Sequence, residues 1–502
     1  MTVEEGKQGE DAKKTAGNVS SAFLIRAARY PFLILFIILI PRMLGASDYG
    51  KYAFVVSILM LVSEFCTLGI SIVFGKFIPE FLIKNDKAKL ERLITFYLLL
   101  WLAFCGLFLV LGIILYLIIN MQSKDVFVFL IVYLALISEI LSLILFSLLY
   151  GLNYVGKSNA INLFRSVFRL IFILALYPLL SFYGVLLALL LTSLLSLFYA
   201  LFSIKKIIDI KYRKPTLKEF LPQLKFGIII FTPTLLFLFQ QQIGPVFLKT
   251  FLFTNKEIGY FDLANQGFLV LYGLAITSFE ALIPISSKFE ITGKSEKSID
   301  WLFMLLRYIL PILLIVVAVF YLFGNEAINL ILGKEYLRIY SIALIILSSI
   351  PIWIIGQLGY VRSVSLSKAK PYLRATIFST IVFIIFGFFL IKNFGAIGVA
   401  SAIFISGTTF SASILISYKE LIPRLLTIVL KIIVSLISFS ILFFWHFKSI
   451  ELKILAFIFC LTIFSIILIK LKVINKDELT QLAAALRRKT PEQEVPVILK
   501  NE

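Results

Sequence analysis

Apolar residues run through this chain in long blocks broken by short polar stretches, and the pattern holds from about residue 20 to residue 470. Each block is as long as a helix must be to cross a hydrocarbon layer about 30 Å thick, where every backbone polar group has to be bonded internally. With charges and turn residues as boundaries, the pattern predicts fourteen spans, at 20–42, 50–78, 90–119, 126–152, 157–180, 184–204, 225–248, 257–285, 299–323, 338–362, 370–391, 395–418, 425–447 and 453–470. The expected fold class is an all-α polytopic membrane protein.

Composition agrees. The 502 residues are 60% hydrophobic, and the mean hydropathy is +1.01, well above soluble usage. A formal charge of +20 would suggest nucleic acid in a soluble protein. Here the charges lie in bursts between apolar runs, so they read as topology and no nucleic-acid partner is expected. With a cytoplasmic N-terminus, 38 of the 48 Lys and Arg residues fall on the inner side. That bias favours fourteen spans in a cytoplasmic membrane with both termini inside, because losing one span would scramble the alternation after it. The polar start precedes an apolar run without a small-residue cleavage signal, so the first span is expected to be retained. Cys66, Cys105 and Cys460 all lie within apolar runs and have no metal-ligand spacing, which makes them small apolar side chains.

An internal repeat organises the spans. SDYGKYAF at 47–54 matches KEIGYFDL at 256–263, and YGVLLA at 183–188 matches FGAIGVA at 394–400. The pairing divides the chain into an N-terminal tail (1–19), a first six-helix half (20–204), a basic linker (205–224), a second six-helix half (225–418), two added helices (425–470) and a C-terminal tail (471–502). The linker reads as a charge anchor or as a surface helix on anionic lipid. In the tail, NKDELTQLAAALRRKT at 475–490 can form a cytoplasmic amphipathic helix.

PRMLGASDYGKYAF at 41–54, GISIVFGKFIPEF at 69–81, LGKEY at 332–336 and NFGAIGVASA at 393–402 are the telling segments. With them the chain resembles the polysaccharide flippases of the multidrug, oligosaccharidyl-lipid and polysaccharide exporter superfamily, over roughly residues 20–470. The resemblance implies export of an undecaprenyl- or dolichyl-linked oligosaccharide by alternating access, without ATP hydrolysis or a cofactor. These motifs are structural, and they identify the family better than the cargo.

Charged groups inside spans are costly and by default face a water-filled space or a partner. Arg26 and Arg29 share one helical face, and Arg165 and Arg169 another, with Arg169 near mid-bilayer. Together with Arg307 they form a cationic set suited to a diphosphate or acidic sugar, because guanidinium forks grip phosphate oxygens bidentately. Snorkelling to headgroups is the alternative reading. Glu64 and Glu139 lie near span centres, where a proton or sodium coupling site and a static Glu–Arg tie are both open readings. Asp262, beside Asn265 and Gln266, lines an exit path or makes interhelical hydrogen bonds. Gln240, Gln241 and Gln242, between Pro233 and Gly244–Pro245, point three ways, so at least one faces a cavity or a neighbouring helix. His446, beside Trp445, reads as an interfacial residue rather than a proton sensor.

GLNYVGKS at 151–158 has the letters of a G-x-x-x-x-G-K-[ST] loop, but it joins two apolar spans rather than a strand to a helix, and no loop is long enough for a nucleotide-binding domain. A membrane enzyme would need acid, base or nucleophile groups gathered at one face, and short outer loops with an isolated histidine do not supply them. No catalytic residue is assigned. The rivals to a polysaccharide flippase are a drug or cation exporter of the same superfamily and a flippase for the peptidoglycan precursor. Membrane arginines favour anionic cargo over the first, whereas sequence does not separate the second.

Overall fold

The computed structural model describes residues 2–119, 123–209, 211–439, 450–471 and 473. His446 and the 475–490 stretch lie outside the described residues. Helices account for nearly all that is described: α1 (Thr2–Thr67), α2 (Ile70–Ile83), α3 (Lys87–Ile119), α4 (Ser123–Gly151), α5 (Val155–Lys205), α6 (Leu217–Gln242) and α7 (Gly244–Thr250) come first. After them come α8 (Asn255–Ile291), α9 (Ser295–Ile331), α10 (Ile339–Ser365), α11 (Ala369–Phe394), α12 (Ala396–Ser417), α13 (Ile422–Leu436) and α14 (Ile450–Lys470). Among the described residues there is no strand.

Twelve stretches among the described residues are long and apolar enough to cross a membrane. Two are about twice the needed length, Ala28–Ile83 at 56 residues and Val155–Lys205 at 51. Each contains a break in helical geometry, at Gly45 (φ 72°, ψ 164°) in α1 and at Ser181 (φ 51°, ψ −137°) in α5. Pro41 and Pro178 precede these breaks and lack the N–H that would bond the carbonyls of Ile37 and Leu174 one turn back, which loosens the helix just ahead of each break. A further break at Leu68 and Gly69, both left-handed, separates α1 from α2 inside the expected second span. The expected linker over 205–224 is helical from Leu217 onward, because Thr216 opens α6 in extended geometry with Glu219 in its first turn.

Two compact units make up the chain. Unit one comprises Met1–Leu271, Asn325–Ser349 and Ala369–Ser413, and unit two comprises Tyr272–Gly324, Ile350–Lys368 and Ile414–Glu502. In unit one, α1 packs on α4, α5, α6 and α7, and α6 packs on α2 and α11. Adjacent residues of opposite sign on α3 fasten the linker: Glu91 pairs with Arg213 at 2.6 Å, and Arg92 pairs with Glu219 at 2.9 Å.

Two of the matched segments share local backbone geometry, and one register differs from the sequence match. Ser181 and Gly395 both have positive φ at a helix-to-helix turn (51° and 57°). Three residues beyond each, Gly184 and Gly398 lie against the backbone carbonyls of Leu176 and Leu390, where a Cβ would collide. The equivalent glycines are therefore Gly184 and Gly398, and YGVLLA aligns with the segment beginning at Ile397 rather than at Phe394. At the other repeated pair, Gly50 meets Asn255 and the Gly259 nitrogen, while Gly259 meets Ala46 and the Gly50 nitrogen.

A half-buried arginine cluster as candidate functional site

Arg29 on α1 and Arg165 and Arg169 on α5 converge within unit one. The Arg29 Nε donates to Ser166 Oγ at 2.9 Å, and Arg29 stands within electrostatic reach of Arg165 and Arg169. Arg165 forms an ion pair with Glu139 of α4 at 3.0 Å, the two side chains being 13% and 16% exposed. One guanidinium nitrogen of Arg165 also donates to Ser142 Oγ at 3.2 Å, while its Nε is buried without a partner. Arg169 stands within electrostatic reach of Tyr52, and its Nε likewise has no partner. Glu64, half-buried, lies within reach of Glu139 and Arg165. Ser193 Oγ lies 3.5 Å from the far oxygen of Glu139.

Helical spacing explains the convergence. Arg165 and Arg169 are one turn apart on α5, so both present to the face that packs on α1 and α4. Three guanidinium groups meet two carboxylates, which leaves a cationic surplus with open N–H groups in a poorly solvated place. Such a surplus attracts an anion with several oxygens. Arg307 belongs to α9 in unit two, where it is half-buried. Arg26 lies on α1, and its side chain is outside what the structure describes. Tyr52 and Ser166 were not singled out from sequence. Tyr52 follows Tyr49 by three residues in SDYGKYAF, and that helical spacing was the signal available.

The glutamine run is buried, with Gln240, Gln241 and Gln242 at 0%, 1% and 5% exposure. Gln240 Nε2 donates to Thr380 Oγ1 at 2.8 Å and to Ser379 Oγ at 3.3 Å. Pro245 has no N–H for the carbonyl one turn back, that of Gln241, and Asn265 Nδ2 donates to this oxygen at 2.8 Å instead. The interruption between α6 and α7 is thus capped from α8.

Asp262 accepts a 2.7 Å hydrogen bond from the buried Tyr49 hydroxyl, and Gln266 Nε2 approaches its other oxygen at 3.4 Å. Around it, Tyr336 of the LGKEY turn donates to the Pro41 carbonyl at 2.6 Å, and Tyr260 donates to the Glu335 carbonyl at 3.0 Å. Segments that carried the family resemblance therefore touch one another.

Unit two holds a different ionic group. Arg362, in the last turn of α10, pairs with Glu290 of α8, lies 3.5 Å from Glu420 and donates to Ser295 Oγ at 2.9 Å. Tyr418 donates to Ser363 Oγ at 3.0 Å, and Arg424 pairs with Asp300 at 2.8 Å and with Glu296 at 3.1 Å.

Long apolar helices with a polar, cation-rich cluster inside them define a multi-span membrane protein with a transporter fold. A family described as "Polysaccharide biosynthesis protein" matches residues 16–290, and the chain belongs to that family. Among solved structures, "Lipid II flippase MurJ, inward closed conformation" is similar at a TM-score of 0.69 and 20% identity, over 89% of this chain and 97% of that one. An inward-facing "multidrug resistance MATE family transporter of the MOP superfamily" is similar at 0.58 and 14% identity, over 80% and 98%. The MATE transporter VcmN of Vibrio cholerae, solved as a point mutant, is similar at 0.54 and 12% identity, over 82% and 98%. No curated protein sequence matches the chain.

Proposed function

We propose that this protein is a secondary transporter, a flippase that moves a polyprenyl-linked oligosaccharide or polysaccharide repeat unit from the cytoplasmic to the outer face of the cell membrane by alternating access. The observation that carries this reading is the cationic surplus of Arg29, Arg165 and Arg169, half-buried among apolar helices. A diphosphate linking lipid to sugar offers the oxygens those guanidinium forks fit. Arg26 and Arg307 are assigned to the same task. Gln240, Gln241, Gln242, Asp262 and Gln266 are assigned to the polar path of the sugar, reached when the helices move, and Glu64 is assigned to a coupling proton or sodium ion, with Glu139 beside it. The protein is a carrier rather than an enzyme.

The proposed topology has fourteen crossings, since the two long stretches broken at Gly45 and Ser181 each count twice. Both termini are cytoplasmic, in keeping with the inner-side excess of Lys and Arg. Residues 20–204 and 225–418 form the two repeated halves, 205–224 the cytoplasmic linker and 425–470 an addition. A second reading, in which the cargo is the peptidoglycan lipid precursor, draws on the likeness to a lipid II flippase at a TM-score of 0.69. A drug or cation exporter is disfavoured by the arginine surplus.

Reconstitution into vesicles with a fluorescent diphosphate-linked lipid oligosaccharide tests the reading. Transbilayer movement by the wild type that collapses in Arg169→Ala, with the variant folded, supports it. No movement above empty vesicles, with the protein folded and varied glycans and ion gradients supplied, sinks it.

A further inference from the structure

Glu139 holds Arg165 through a single oxygen, the same guanidinium donates to Ser142 and approaches Asn162, and its Nε is buried without a partner. Neither side chain is sealed away, at 13% and 16% exposure. The carboxylate therefore occupies one place on Arg165 that a phosphate oxygen of the proposed cargo would take, and it brings a like charge against that cargo. We propose that Glu139 is an internal counter-ion that stands in for the cargo: Arg165 is held by Glu139 when the carrier is empty and exchanges to the anionic headgroup when it is loaded.

The inference rests on the flippase reading and adds a division of labour to it. The groups facing the exchange are Arg29, Tyr30, Tyr52 and Glu64 from α1, Glu139 from α4, and Arg165 and Arg169 from α5, with Asp262 of α8 beyond Tyr52. Of these, Glu139 alone combines an ion pair to an arginine of the cluster with hydroxyls placed to hold both partners, Ser142 on Arg165 and Ser193 on Glu139. An empty site with three uncompensated guanidinium groups would be costly in a low-dielectric interior. A built-in carboxylate lowers that cost for the returning carrier, and it also weakens loading, because cargo must displace it. Affinity is given up for turnover.

The test uses the purified full-length protein in nanodiscs, with geranylgeranyl diphosphate as the binding probe and lipid flipping in vesicles as the turnover readout. Glu139→Gln keeps the shape and removes the charge. It should bind the probe about ten-fold tighter, since the competent state no longer competes with the ion pair, and multi-turnover flipping should slow. Glu139→Asp should shift both in the same directions by smaller factors, and it decides the matter if Glu139→Gln does not fold. Unchanged or weaker binding by a folded variant, with the wild type still binding, overturns the counter-ion role and leaves the diphosphate reading standing. A wild type that fails to bind the diphosphate overturns both.

Discussion

Two arginines bonded to carboxylates, one in each unit, make an instructive pair. Arg362 in unit two meets two carboxylates, Glu290 and Glu420, plus the Ser295 hydroxyl, and both Arg362 and Glu290 are under a tenth exposed. Arg165 in unit one meets a single carboxylate, and it has Arg29 and Arg169 as neighbours and remains part-exposed. The first group has anionic charge to spare and ties together the ends of α8, α9, α10 and the turn before α13. The second has cationic charge to spare, whereas a buried Nε without a hydrogen bond is common to Arg165 and Arg362. The same chemistry therefore serves to fasten helices in one place and, by our reading, to wait for a ligand in the other.

The sharpest way to break the contrast is Arg362→Ala, which strands a buried carboxylate. It should cost about 3–5 kcal/mol of stability, seen as lost folded yield and a lower Tm in detergent; an unchanged Tm would mean that Arg362 does not fasten the helices. Arg29→Ala should do the reverse, leaving Tm nearly unchanged while diphosphate-lipid flipping falls about ten-fold, the equivalent of about 1.4 kcal/mol of lost binding. A matching fall in Tm would move Arg29 into the structural class. Tyr49→Phe removes a buried hydrogen bond to Asp262, worth about 1 kcal/mol. It should raise the labelling of a cysteine placed at Ser47, measured against the same reporter with Tyr49 intact. The smallest effect expected is from Ser181→Gly, which relieves a left-handed backbone of about 1 kcal/mol at the position where the other half already has Gly395, and should raise Tm slightly.

The helices were legible in sequence because bilayer thickness and internal hydrogen bonding impose a long apolar period that no other element mimics. Their interruptions were less legible. The turn after Pro178 depends on a serine held at positive φ, and nothing in the residue type at 181 announces that. The start of the helix after the linker was placed at 225, because Lys218 and Lys225 read as loop, whereas the basic first turns from Leu217 project charges while remaining helical. Among the candidate residues, intramembrane arginines stood out by cost alone. Their hydroxyl partners Ser142 and Ser166, and the neighbouring Tyr52, did not, since Ser and Tyr are common in spans and gain meaning only from what lies opposite. The 211-residue register between halves was drawn from similar letters, and the backbone carbonyls of Leu176 and Leu390 correct it.

The contact between the two copies of the repeat has a historical meaning. Gly50 touches Asn255 and Gly259 touches Ala46, and an offset of 209 maps one contact onto the other. Contacts that exchange in this reciprocal way are the mark of an isologous interface, the kind formed when two identical subunits meet across a two-fold axis. On the proposed repeat, both subunits are written into one chain. A substitution at either glycine would be felt first by the other copy, so after duplication these two segments could not drift apart as freely as the rest of the halves. Their likeness, faint as it is at 47–54 and 256–263, persists because each is the other's environment.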